Sequence, residues 1–137
     1  MYAKKSEFDA VGCKLVCVLK EGLPAEVEEF KKEFWPENLY LDEDKGFFKA
    51  VAGGKVKKGS LSAFLNPLGR VWKHASEAKK AGVTNHNLNG EGLIMGGLLV
   101  MKPGDKGVQY QFQERNFGDH APIEDVIAAA KASAASA

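Results

Sequence analysis

Residues Gly90–Pro122 read GEGLIMGGLLVMKPGDKGVQYQFQERNFGDHAP, and the fold is decided there. Two strand-like runs, Gly92–Lys102 and Val108–Arg115, flank Pro103-Gly104-Asp105-Lys106-Gly107, a five-residue turn of the composition that joins antiparallel hairpins. In the second run Val108, Tyr110 and Phe112 alternate with Gln109, Gln111 and Gln113, which predicts one buried and one wet face. Pro122 then opens a helix with Glu124 and Asp125 in its first turn, where they complement the helix dipole. The last residues, KASAASA from Lys131, are low in complexity and are expected to fray.

Upstream of this ββα ending the chain reads as parallel βαβ units. Met1–Ala10 has the pattern of the end of a helix, stopped by Gly12 at a C-terminal cap position. Lys14–Lys20 (KLVCVLK) is a nearly continuous apolar run, the pattern of a strand covered on both faces. Leu23–Phe34 predicts a helix with Pro24 in its first turn and Leu23, Val27, Phe30 and Phe34 along one face. Asn38–Leu41 predicts a short strand, and Asp42 caps a helical segment through about Val51. After the loop GGKVKKGS, Ser60 is the next cap candidate. Leu61, Phe64, Leu65, Leu68, Val71, Trp72, Ala75 and Ala78 then keep helical spacing, with Pro67 as a kink. Asn85–Asn89 reads as loop. The predicted order is α, β, α, β, α, α, β, β, α within one domain over residues 1–137. That order predicts an α/β fold of the thioredoxin-like kind, a mixed sheet flanked by helices but without its opening strand.

Composition narrows the function classes. The formal net charge of +1, with both signs interspersed, argues against a dedicated nucleic-acid or anionic-membrane surface. The longest apolar run, Gly92–Met101, is half of what crosses a bilayer, and the charged start Tyr2–Asp9 does not read as a signal peptide. Two cysteines in 137 residues point to free thiols in a reducing compartment, and so to a cytoplasmic protein.

Cys13 and Cys17 are the thiol candidates. Redox dithiols sit near a helix N-terminus, whereas here the spacing is C-x-x-x-C at the start of a strand. At ~3.3 Å per residue the two α-carbons would stand roughly 13 Å apart, beyond the ~7 Å that a disulfide spans. Cys17, among valines and leucines, reads as a small buried hydrophobe, and Cys13 as the more exposed and oxidisable thiol. The other motifs fail. Gly90, Gly92 and Gly96 are spaced one residue too long for a dinucleotide fingerprint and lead into a strand. Gly54 and Gly59 lack the phosphate-loop lysine, and Lys55, Lys57 and Lys58 read as a solvated basic loop that could hold an anion weakly. Asp42, Asp44 and Gly46 depart from a calcium loop, since Gly53 stands where the bidentate Glu belongs. His74, His86 and His120 have no ligand-like spacing. No catalytic, cofactor-binding or metal-ligating residue is assigned beyond the two thiol candidates. The Leu61–Trp72 stripe reads as core, with the wall of a hydrophobic pocket as the alternative.

Several segments together resemble the peroxiredoxin-like 2 family, the AhpC/TSA-related group of thioredoxin-fold proteins that includes the prostamide/prostaglandin F synthases. They are LVCVLKEGL (Leu15–Leu23), the EV-x-x-F pattern (Glu26–Phe30), LYLDEDKGFFKA (Leu39–Ala50), NLNGEGLIMGGLLVM (Asn87–Met101) and FGDHAP (Phe117–Pro122). The GEG-x-I-x-GG strand and the E-x-x-FGD ending at Glu114–Asp119 are the specific ones. The resemblance implies an antioxidant, thiol-dependent reductase with no bound cofactor. Relatives reduce peroxides, or prostaglandin endoperoxides in one branch, with electrons drawn from NADPH through thioredoxin. It also implies a C-x-x-C pair, or selenocysteine in its first position, at the start of the first helix.

Met1 falls inside that helix, so no family active-site residue carries over, and Cys13 and Cys17 do not match the motif's position. The expectation is an N-terminally truncated gene product or gene model, inactive as it stands; a selenocysteine codon read as a stop would produce one. The absent strand would lie between Lys14–Lys20 and Gly92–Lys102 and leave two strand edges without a ladder partner. Expected partners are thioredoxin or another thiol reductant, and a peroxide or small hydrophobic substrate. An organellar address would follow if a targeting peptide was lost upstream. The alternative is a non-catalytic thioredoxin-like module for protein interaction or hydrophobic-ligand binding.

Overall fold

The hairpin forms where its turn chemistry placed it. In the computed structural model, which describes residues 1–22, 24–59 and 93–136, it comprises β3 (Gly97–Met101) and β4 (Val108–Gln113). The register runs from Gly97 opposite Gln113 to Val100 opposite Tyr110, and the turn closes with the Lys102 N–H donating to Gly107 O at 2.8 Å. The elements before it are a 3-10 turn (Tyr2–Lys4), α1 (Lys5–Asp9), β1 (Cys17–Leu19), α2 (Pro24–Glu33), β2 (Leu39–Leu41) and α3 (Gly46–Val51). The closing helix, α4, spans Ile123–Ala135. Ser60, the predicted helix from Leu61, the Asn85–Asn89 loop, His74, His86, Gly90, Gly92 and Leu23 lie outside the described residues.

The strict alternation predicted for β4 does not hold. A bulge between Val100 and Met101 pairs Met101 with Val108 and skips Gln109. One unpaired residue reverses the faces beyond it, so Val108 is exposed while Gln109 is half-buried. The glutamine face is not simply wet either, because Gln111 Nε2 donates to Val51 O at 2.8 Å and ties the hairpin to α3. Gly97 makes that approach possible. A Cβ there would run into Phe112 O and Val51 Cγ1.

On the other face of the hairpin, α4 and α1 build the core of Phe8, Val100, Val126, Ile127, Ala129 and Ala130. The expected fraying of the C-terminal tail is corrected. The helix continues to Ala135, Ser133 is buried, and its Oγ donates to Met101 O at 3.0 Å. Alanine and serine let this helix lie close to the strand, and packing of that face supplies the stability that a short isolated helix lacks.

The N-terminal helix ends as its sequence predicts, with Gly12 at φ +68° accommodating the left-handed turn after Asp9. Only Cys17–Leu19 of the Lys14–Lys20 run becomes strand, paired in parallel with Leu39–Leu41. The expected burial on both faces is absent: β1 is half-buried and Val16 is 52% exposed. Asp42 caps α3 from further away than predicted. The helix starts only at Gly46, after Lys45 in the left-handed region, and the Asp42 carboxylate accepts from Gly46 N at 2.9 Å and Phe47 N at 2.8 Å. Both carboxylate oxygens are thereby used on the backbone, one hydrogen bond each.

Among the described residues, the strands of the predicted mixed sheet are present as two pairs, β1–β2 and β3–β4, with no ladder between them.

Candidate functional site: a cleft between two sheet edges

The gap between the two strand pairs is a cleft of about 880 Å³. One wall is Val16 with Cys17 and Val18 of β1, the other is β3 from Gly97 to Met101, and Phe8, Val126 and Ala130 also line it. The lining is mainly apolar because it draws on the apolar strand runs and on the core faces of the two helices. Two exceptions in charge, Lys14 and Lys102, stand among the lining residues, and no carboxylate does.

Cys13 and Cys17 both line this cleft as free thiols. Cys13 follows the C-terminal end of α1, its N–H donating to Phe8 O at 2.9 Å. A thiolate is stabilised at a helix N-terminus, the opposite end. Cys17 sits in β1 opposite Leu39 and is half-buried, not fully buried as predicted. Burial pushes both thiols above the ordinary thiol range. Each is therefore protonated near neutral pH and a poor nucleophile.

Trp35 gave no signal in the sequence analysis and is the most distinctive group of the cleft wall. It is 7% exposed, packs edge-on to Tyr2 with ring centroids 5.2 Å apart, and its indole Nε1 has no hydrogen-bond acceptor. A buried N–H without an acceptor costs ~1–3 kcal/mol, which makes this indole a local weak point of the wall. The signal that could have found it is a large aromatic residue two positions past the end of α2 and directly before Pro36.

Described residues of the two specific sequence motifs meet in a hydrogen bond, and the acids of the second fix local backbone. Glu114 Oε2 accepts from Gly96 N at 2.9 Å, and Asp119 Oδ2 accepts from Arg115 N at 3.0 Å and Asn116 N at 2.9 Å. The basic loop is also structural in part. Met95 N donates to Lys57 O, Gly59 N donates to Leu93 O, and Lys58 bridges Ile94. His120 is exposed, beside Arg115 and Asp119 in a separate hollow of about 570 Å³. Among the described residues no group of acids, histidines and cysteines could hold a metal ion, and no helix is long and apolar enough to cross a membrane.

A family model described as AhpC/TSA antioxidant enzyme matches residues 1–116. The chain belongs to the peroxiredoxin-like 2 family. It is 37% identical over 127 residues to Peroxiredoxin-like 2A of Danio rerio, an alignment covering 93% of this chain and 56% of that one. With Peroxiredoxin-like 2A of Homo sapiens the identity is 36% over 127 residues, covering 93% and 52%. The chain spans about half the length of the curated relatives it matches. No solved structure matches it. Membership in this AhpC/TSA family makes the fold thioredoxin-like, and the parallel β1–α2–β2 unit and the closing hairpin and helix are the parts of that fold described above.

Proposed function

We propose that this peroxiredoxin-like 2 chain is the scaffold of a thiol-dependent antioxidant reductase of the cytoplasm. The substrate is a peroxide or a small hydrophobic molecule, and the electrons come from NADPH through thioredoxin or another thiol reductant. The family match supports the reaction class. The observation that carries the reading for this chain is the apolar cleft with two protonated thiols on its wall. Peroxide reduction begins when a thiolate sulfur attacks one peroxide oxygen and the O–O bond breaks, releasing the other oxygen as alcohol or water. The sulfur becomes a sulfenic acid, and a second thiol then closes a disulfide with loss of water. Cys13 and Cys17 are poor starting points, because burial holds both as thiols and neither stands at a helix N-terminus. The chain by itself is accordingly not expected to turn over peroxide.

The test is NADPH oxidation coupled through thioredoxin and its reductase, with hydrogen peroxide as substrate. It is run on this chain and on one extended by the sequence encoded upstream. The expected outcome is background rate for the first and turnover for the second. A rate from the chain itself that disappears in Cys13→Ser or Cys17→Ser would overturn the inactive reading. Turnover by neither form would make it a non-catalytic interaction or hydrophobic-ligand-binding module.

A further inference from the structure

We infer that the lysine loop Gly53–Lys58 is a binding site for a group of linked phosphates. This goes beyond the reductase reading and shares no residue with it. The net charge of +1 conceals a segregation. No Asp or Glu occurs between Asp44 and Glu77, a stretch that holds seven lysines and arginines. Of these, Lys55, Lys57 and Lys58 stand exposed on the loop that follows α3. Among the described residues no carboxylate pairs with any of the three. The Glu114 carboxylate, which follows β4, accepts from Gly96 N at 2.9 Å. The sequence after the loop adds net positive charge, because Arg70, Lys73, Lys79 and Lys80 outnumber Glu77 and Glu91.

The loop presents these charges on a fixed backbone. Gly54 N donates to Lys49 O at 2.7 Å, Met95 N to Lys57 O at 2.9 Å, and Gly59 N to Leu93 O at 2.8 Å. Less order is then left to impose when a ligand binds. Lys20 Nζ donates to Ile94 O at 3.2 Å, and Ile94 is the residue that Lys58 bridges, so a fourth ammonium arrives there from the end of β1. Like charges held this close repel, and a polyanion relieves that repulsion. Approach is unobstructed, since Gly53 and Gly54 are exposed with open space where side chains would stand. The chemistry of the loop selects the anion. It carries no aromatic residue, and Val56, its one apolar side chain, is half-buried. Acidic peptides dock through buried aromatic or Arg anchors and single-stranded nucleic acid through stacking, and the loop offers neither. Ammonium groups are compact point charges, which suit phosphate. The α-carbons of Lys55 and Lys57 are at most about 7 Å apart, so both side chains reach one short chain of phosphates.

Inorganic tripolyphosphate is the probe, titrated into the whole chain by calorimetry at about 0.1 M salt, where the screening length is ~10 Å. Saturable binding is expected, together with a rise in the thermal midpoint, because the ligand binds the folded form. The Lys55→Gln/Lys57→Gln/Lys58→Gln protein should bind at least about tenfold more weakly, since hydrogen bonds to charged groups are the stronger ones. Its own midpoint without ligand should stay or rise as the repulsion disappears. A Lys31→Gln/Lys32→Gln/Lys102→Gln protein loses the same charge elsewhere and should bind within about twofold of the native chain. Phosphatidylcholine vesicles carrying a phosphatidylinositol bisphosphate distinguish the source of the phosphates. Co-sedimentation that tripolyphosphate competes away assigns a lipid headgroup, and its absence assigns a soluble polyphosphate. Equal weakening in the two triple variants would overturn the site in favour of diffuse attraction. So would a glutamate peptide of matching charge that binds as tightly as tripolyphosphate, or the absence of saturable binding by the native chain. Peroxidase activity, present or absent, moves none of these readouts.

Discussion

The hairpin half of the molecule and the β1–α2–β2 half are built from similarly apolar sequence, yet they reach very different degrees of burial. In the first, α1 and α4 cover one face of the hairpin and α3 the other, and Val100, Val126, Ile127 and Ala130 are 6% exposed or less. In the second, Val16, Tyr40 and Leu41 are about half exposed (52%, 47% and 49%), and Trp35 is the one buried side chain described between Cys17 and Leu41. Apolar residues create the demand for burial, and only a covering partner satisfies it. The β1 run carries the pattern of a central strand, but on the side facing β3 it borders an open cleft. The hairpin amides should therefore be the slowest to exchange with solvent, and those of β1 and β2 among the fastest.

The largest expected effect erases that contrast. Gly97→Ala places a methyl group against Phe112 O and Val51 Cγ1, both held by the hairpin ladder and by α3. Backbone cannot give way as a flexible side chain can, so the loss should be about 2–3 kcal/mol. Chemical denaturation measures it, and hydrogen exchange should show hairpin protection falling to the level of β1–β2. A Gly97→Ala protein of unchanged stability would mean that the hairpin half is looser than its packing indicates.

A smaller effect sharpens the contrast from the other side. Asp42→Ala removes the carboxylate that accepts from Gly46 N and Phe47 N, and should cost ~1–2 kcal/mol. The Asp42 N–H also continues the ladder by donating to Leu19 O at 2.9 Å. Because Asp42 joins β2 to α3, and α3 to the hairpin through Val51 and Gln111, both halves should melt together at a lower midpoint. Two separated transitions in calorimetry would show that the halves are energetically independent.

How much of this was legible follows from which signals are local. The hairpin, α4, the Gly12 stop and the Asp42 cap rest on turn and cap chemistry written within a few residues, and each was found. Strand β1 shrank from seven predicted residues to Cys17–Leu19 because period and composition report the burial a segment is suited to, not the burial it obtains. The bulge at Val100/Met101 and the Lys57–Gly59 pairing with Leu93–Met95 join residues distant in sequence, and no local pattern encodes them. Ser133 was hidden in a low-complexity tail, where its value is its small size against β3. The site was the least legible part. The two thiols were located, but the cleft they line and the unsatisfied Trp35 arise from how two strand pairs are spaced.

The smallest effect lies where the two halves touch through charge. Helix α1 contributes Phe8 to the hairpin core, while Lys5 Nζ reaches Glu37 Oε1 of the other half at 3.6 Å and Asp9 Oδ2 at 2.6 Å. Next to it Lys4 Nζ stands 2.8 Å from Glu7 Oε1. The hydrogen bond from Lys4, and then its charge, hold the Glu7 carboxyl below its ordinary value of 4.5, with a further contribution from Lys131 on α4. A carboxylate with a depressed value stabilises the fold at pH above that ordinary value, and the contribution is lost as pH falls through the folded one. The melting temperature should therefore decline slightly more between neutral pH and acid for the native chain than for Glu7→Gln. The pair is fully exposed, so the difference should vanish at about 1 M salt, where the screening length is ~3 Å. A difference that survives high salt would mean that α1 is clamped between the halves more tightly than its surface charges suggest.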